Sequence, residues 1–142
     1  MKTRILVVDD EPDFTGMLKL SLETAGYYEV REENDATCAV SAAREFGPDL
    51  IVLDVMMPVF DGSEVAALVR RDVLVRDTPL VFLTALVSET DAPRGAYNSG
   101  GNIFLPKSLP LPKLLQCIED TLRNSRMPAV LVGSALADVA RG

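Results

Sequence analysis

The chain has 142 residues, 48% of them hydrophobic and 25% charged, a balance that suits a folded domain and excludes a disordered segment. At this length one domain buries about two thirds of its unfolded surface, so it needs no metal or disulfide to fold. The net charge of −7 argues against direct contact with nucleic acid, which needs a basic face, and the absence of histidine removes imidazole bases and most zinc sites.

The chain opens on a short apolar run, Ile5 to Val8, reached directly from MKTR with no signal-peptide pattern. A cytoplasmic location is expected, since no apolar run approaches the roughly 20 residues of a membrane span. Phe14, Met17, Leu18, Leu22 and Ala25 then fall at helical spacing, with Pro12 suited to the first turn and Gly26 at the stop. Tyr28 to Glu32 alternates apolar and charged residues, the pattern of a strand at a sheet edge. A second helix carries Ala36, Ala39, Val40 and Ala43 and ends at Gly47-Pro48. Cys38 and Cys117 both lie in helical apolar patterns and are expected as buried fillers.

The next stretch, LIVLDVMMPVFDG from Leu50 to Gly62, organises the rest. Four apolar residues bounded by polar ones predict a strand buried on both faces, and it ends on the carboxylate of Asp54. Met56-Met57-Pro58 and Asp61-Gly62 predict a loop. Val65, Leu68 and Val69 give a third helix, and Leu80 to Leu83 a fourth strand. A short fourth helix is expected within Ser88 to Ser99, where Pro93 and Gly95 weaken it and Asn98-Ser99-Gly100-Gly101 makes a loose, mobile exit. Ile103 to Leu105 is the fifth strand. The last helix carries Leu111, Leu114, Leu115, Ile118 and Leu122 and runs to about Asn124. Residues 1–124 are thus expected as one domain, with 125–142 a tail that packs on it, associates with a copy, or begins a linker.

Strand and helix repeated five times with short connections predict an α/β fold: a five-stranded parallel sheet with helices on both faces. Ligands of such sheets bind at the carboxyl ends of the strands. Those ends here carry Asp9 and Asp10, Asp54, Thr84 and Lys107. Two unit charges 4 Å apart repel by about 4 kcal/mol even at an effective dielectric of 20, so clustered carboxylates call for a cation. All-oxygen ligands with room for water suit Mg²⁺. With Lys107 beside it, such a site can receive a phosphoryl group on Asp54 as nucleophile.

These residues resemble the receiver domain of bacterial two-component response regulators over roughly Thr3 to Asn124. The resemblance rests on Asp9-Asp10, the D-x-x-M-P-x-x-D-G segment from Asp54 to Gly62, Thr84-Ala85 and Lys107. It implies a doubly wound, flavodoxin-like sheet in the order 2-1-3-4-5. It further implies that Asp54 is the phosphoacceptor, and that Asp10, Asp54 and the Met56 carbonyl hold Mg²⁺, with Asp9 acting through water. Thr84 would bond the phosphoryl oxygen and move toward it. Phe104, three residues before Lys107, would be the aromatic that turns inward in response, changing the face made by the fourth helix, fifth strand and fifth helix.

The implied partners are a sensor histidine kinase or a histidine phosphotransfer protein, then a downstream protein on that face or a second copy of the chain, with no membrane. Alternatives are a phosphorylation-independent docking module of the same fold, and a metal-dependent phosphatase. The latter usually carries D-x-D, whereas Asp54 is followed by Val55-Met56. Ser108 departs from the family, which usually has proline after the lysine, often across a cis bond. Met56 and Leu86, two residues after Asp54 and Thr84, offer no side chain to orient a hydrolytic water, so a long-lived phosphorylated state is expected.

Overall fold

The computed structural model describes residues 2–85, 97–99 and 102–125. Its elements are β1 (Thr3–Val8), α1 (Pro12–Thr24), β2 (Tyr28–Glu33), a 3-10 turn (Ala36–Cys38), α2 (Ala39–Phe46), β3 (Leu50–Asp54), α3 (Gly62–Arg71), β4 (Leu80–Thr84), β5 (Tyr97–Ser99), β6 (Asn102–Pro106) and α4 (Leu111–Ser125). They form one sheet in the order β2-β1-β3-β4-β6-β5. The five strands expected from the sequence are parallel and occur in the expected order, with β2 at one edge.

β3 is the centre. All five of its residues are buried, and Leu50 to Leu53 each contribute roughly 1.5–3 kcal/mol of apolar burial. Alternate residues feed two cores, because successive side chains of a strand point to opposite faces. Ile5, Val7, Val52 and Leu105 join Leu18, Leu22, Leu114 and Ile118 of α1 and α4. Leu6, Val8, Ile51 and Phe82 join Ala39, Ala42, Ala43, Val65 and Val69 of α2 and α3.

Two details differ from the sequence reading. Residues 97–99, expected as the exit of a short helix, form a strand antiparallel to β6. That strand covers what would otherwise be an unpaired edge, and three residues are too few to show an alternating pattern. The remainder of the expected fourth helix, residues 88–96, lies outside the described residues, as does the tail from 126 onward. Cys38 is exposed, whereas Cys117 is buried as expected. The 3-10 turn, capped by the Asp35 carboxylate on Thr37 N–H, precedes α2 and puts Cys38 out of phase with Ala39, Ala42 and Ala43.

Candidate functional site

The carboxyl ends of β1, β3, β4 and β6 meet at one lip of the sheet. β3 is fixed there by Val55 N–H, which donates to Leu83 O at 2.9 Å. The loop that follows turns through Val59 and returns as α3, whose first residue, Gly62, donates its N–H to Val55 O at 2.8 Å. Asp61 caps that helix by accepting from Glu64 N–H at 3.0 Å, and the Glu64 side chain accepts from Asp61 N–H in return. β6 is tied to β4 by Lys107 N–H donating to Thr84 O at 2.8 Å, so the lysine stem starts beside the threonine. No peptide is cis among the described residues, so Lys107–Ser108 is trans.

The Lys107 ammonium is the hub. It lies 2.6 Å from Asp9 Oδ2, 3.0 Å from Glu11 Oε1 and 3.4 Å from Asp54 Oδ2, above the Phe14 ring at 4.8 Å from its centroid. Asp9 is fully buried and Asp54 nearly so, while Asp10 is exposed. Asp9 Oδ1 accepts from Glu11 N–H at 2.9 Å, and Asp54 Oδ1 from Met56 N–H at 3.3 Å.

These environments move the acids together. Burial pushes Asp54 up to about 6, the Asp9 charge adds to the rise, and Lys107 only partly offsets them. Burial likewise raises Asp9 against the pull of Lys107. For Lys107, burial works against the ammonium, but Asp9, Glu11 and Asp54 outweigh it and hold the group protonated.

One carboxylate oxygen each from Asp9, Asp10 and Asp54 lies within 4.8 Å of the others, a spacing that a cation can bridge. Among the described residues, Asp9 Oδ2 accepts no aligned hydrogen bond, and its contact with the ammonium is an ion pair. The donor set is all oxygen and fits a hard divalent cation.

Sequence reasoning placed Asp9, Asp10, Asp54 and Lys107 together, and the fold brings them together. Thr84 is buried at the adjoining strand end. Met56 is a neighbour through its backbone N–H, and the residue is 56% exposed. Phe104 stands apart on the α2/α3 side, half-buried and stacked on Phe82 with centroids 5.2 Å apart. Glu11, Asn34 and Gly62 were missed as site residues. Glu11 was legible as a third consecutive acid; Asn34 was not, since it approaches Asp9 from a polar loop 25 positions away.

The family model of the response regulator receiver domain matches residues 5–119. The chain belongs to that family. The receiver is 36% identical over 126 residues to the DNA-binding dual master transcriptional regulator RpaA of Synechocystis, covering 88% of this chain and 52% of the relative. It is 36% identical over 130 residues to the phosphate regulon transcriptional regulatory protein PhoB of Klebsiella pneumoniae, covering 92% and 56%. The chain thus spans about half the length of these relatives. Among solved structures, the receiver is similar to the HemR receiver domain of Leptospira biflexa, at a TM-score of 0.68 and 30% identity, covering 85% and 94%. It is also similar to the chemotaxis protein CheY4 of Vibrio cholerae, at 0.71 and 27%, covering 85% and 99%.

These relatives correct one expectation. Nucleic acid was excluded on the charge of −7, yet RpaA, like MtrA of Mycobacterium leprae at 34% identity, is a DNA-binding regulator. The physical reason is one of scope. Net charge describes the stretch it is summed over, and that stretch matches only 52% of RpaA and 60% of MtrA, so an acidic receiver is compatible with a DNA-binding regulator. Among the described residues no helix is long and apolar enough to cross a bilayer.

Proposed function

We propose that this receiver accepts a phosphoryl group on Asp54 from the phosphohistidine of a sensor kinase or phosphotransfer protein, in a reaction that needs Mg²⁺. The chain has no histidine of its own, so the donor is another molecule. The observation that carries the reading is the Asp54 carboxylate at the lip of β3, 3.4 Å from an ammonium that also pairs with Asp9.

In the transfer, one Asp54 oxygen attacks phosphorus, the P–N bond to the donor imidazole breaks, and the imidazole leaves. Asp10, Asp54 and the Met56 carbonyl would hold the cation, with Asp9 acting through water. When bound, the cation supplies positive charge against the phosphoryl oxygens. Lys107 supplies the second positive charge and releases Asp54 as the phosphoryl group forms. Thr84 hydrogen-bonds a phosphoryl oxygen from the end of β4. Phe104, stacked on Phe82, is the aromatic that turns as Thr84 moves, and the altered face of β6 and α4 meets the downstream partner or a second copy.

Residues 1–124 are the receiver, and 125–142 follow it. The similarity to RpaA, MtrA and PhoB favours a transcriptional regulator as the protein this receiver controls. Intact-mass measurement after incubation with acetyl phosphate tests the reading. One added phosphoryl group that appears with Mg²⁺ and not with EDTA supports it. No adduct under either condition favours a phosphorylation-independent docking module.

A further inference from the structure

Asp9 ends β1, and its N–H makes the last backbone bond to β2, donating to Glu33 O at 3.1 Å. The strand register ends at Val8 and Glu33, and among the described residues the Asp9 carbonyl accepts no backbone N–H. The amide of Asn34 takes that place: Nδ2 donates to Asp9 O at 2.8 Å. The assignment of nitrogen is forced, because a carbonyl can only accept. The second Nδ2 hydrogen goes to Thr15 Oγ1 at 3.0 Å. Thr15 is fully buried in α1, and its hydroxyl is anchored in turn on Glu32 Oε1 at 2.7 Å.

The peptide held in this way joins Asp9 to Asp10. Its plane fixes where the two acids point, and for Asp10 little else does so. That side chain is exposed and has no hydrogen bond or ion pair among the described residues. Asp9, by contrast, is held directly by Glu11 N–H and Lys107.

We infer that Asn34, seated on Thr15, is a positioning residue for the cation site. It acts through the Asp9 carbonyl to aim the Asp10 carboxylate toward Asp54. The inference rests on the proposed Mg²⁺ role of Asp10. Partners that orient a ligand without touching the metal typically change its affinity 10–100-fold.

The test is a Mg²⁺ titration of the full chain, followed by the amide chemical shifts of Asp10 and Met56, for wild type, Asn34→Ala and Thr15→Val. Asn34 is exposed, so its truncation leaves the cores intact. The expected result is Mg²⁺ affinity weaker by about 10-fold in Asn34→Ala and shifted in the same direction in Thr15→Val, with the metal-free melting temperature of Asn34→Ala close to wild type. Wild-type affinity in folded Asn34→Ala overturns the inference alone, whatever the melting temperature. No saturable shift in the wild type overturns the reading of the cation site and the inference with it.

Discussion

Gly62 packs directly on the backbone of the residue pair that ends β3: a Cβ there would meet Val55 Cα at 2.9 Å and the carbonyl oxygen of Asp54 closer still. Neither neighbour is a flexible side-chain tip, so the strand end must shift. Gly62→Ala is expected to destabilise the fold by about 1–3 kcal/mol, the range of an overpacked contact. Because the shift falls on Asp54, phosphorylation of the folded variant drops as well. Urea unfolding and adduct yield, measured side by side, check both; an alanine variant with wild-type values in each contradicts the close approach.

Val59 is a β-branched residue at a φ of 71° in the loop after Asp54, in a three-residue turn closed by Phe60 N–H on Pro58 O at 2.8 Å. Left-handed backbone costs an L-residue roughly 1–2 kcal/mol, and at 84% exposure the side chain recovers little by packing. Glycine removes that strain at a smaller cost in chain entropy. Val59→Gly is therefore expected to stabilise the protein by about 0.5–1 kcal/mol, seen as a higher melting temperature. A lower one contradicts the strain.

Burial, then the Asp9 charge, keep Asp54 near 6 in the folded protein, above its unfolded range. Such a carboxyl binds more protons folded than unfolded, so it subtracts stability at neutral pH, and the deficit disappears as pH falls through 6 toward about 4. Asp54→Asn is expected to stabilise the metal-free protein by on the order of 1–2 kcal/mol near neutral pH, a figure discounted for water at the open lip. The gap should close toward about pH 4. Denaturant unfolding of both proteins at the two pH values decides; a variant less stable at neutral pH shows that the Lys107 pairing outweighs burial.

Met56 projects into solvent beside Asp54 and offers a thioether where a polar side chain would orient a water. Leu86 lies outside the described residues. The phosphorylated form is expected to be long-lived, and Met56→Asn to shorten its half-life by about 10-fold or more, a modest share of what general acid–base groups supply. Decay of isolated phosphoprotein in Mg²⁺ gives the rate. A wild-type half-life of seconds contradicts the expectation.

Much of this architecture was legible in the chain. Leu50 to Leu53 reads as a buried strand because no polar residue interrupts it, and the acids stand out because each ends such a run. Contacts between distant loops left no periodic trace. Asn34 looks like a loop residue until β2 lies beside β1, and Glu11 looks like a helix-start acid until Lys107 arrives from β6. Tyr97–Ser99 is too short to show a period, and Cys38 was misplaced by a 3-10 turn that the apolar spacing does not reveal. The exclusion of nucleic acid failed for a different reason, since charge was read as a property of a whole regulator.

The central claim is that Asp54 itself carries the phosphoryl group. Intact mass and peptide mapping of wild type and Asp54→Asn, each incubated with acetyl phosphate and Mg²⁺, test it most directly. One phosphoryl group on the wild type, within the Leu50–Gly62 stretch and absent from Asp54→Asn, is the predicted result. An unmodified wild type, or an adduct of equal yield on both proteins, contradicts the account.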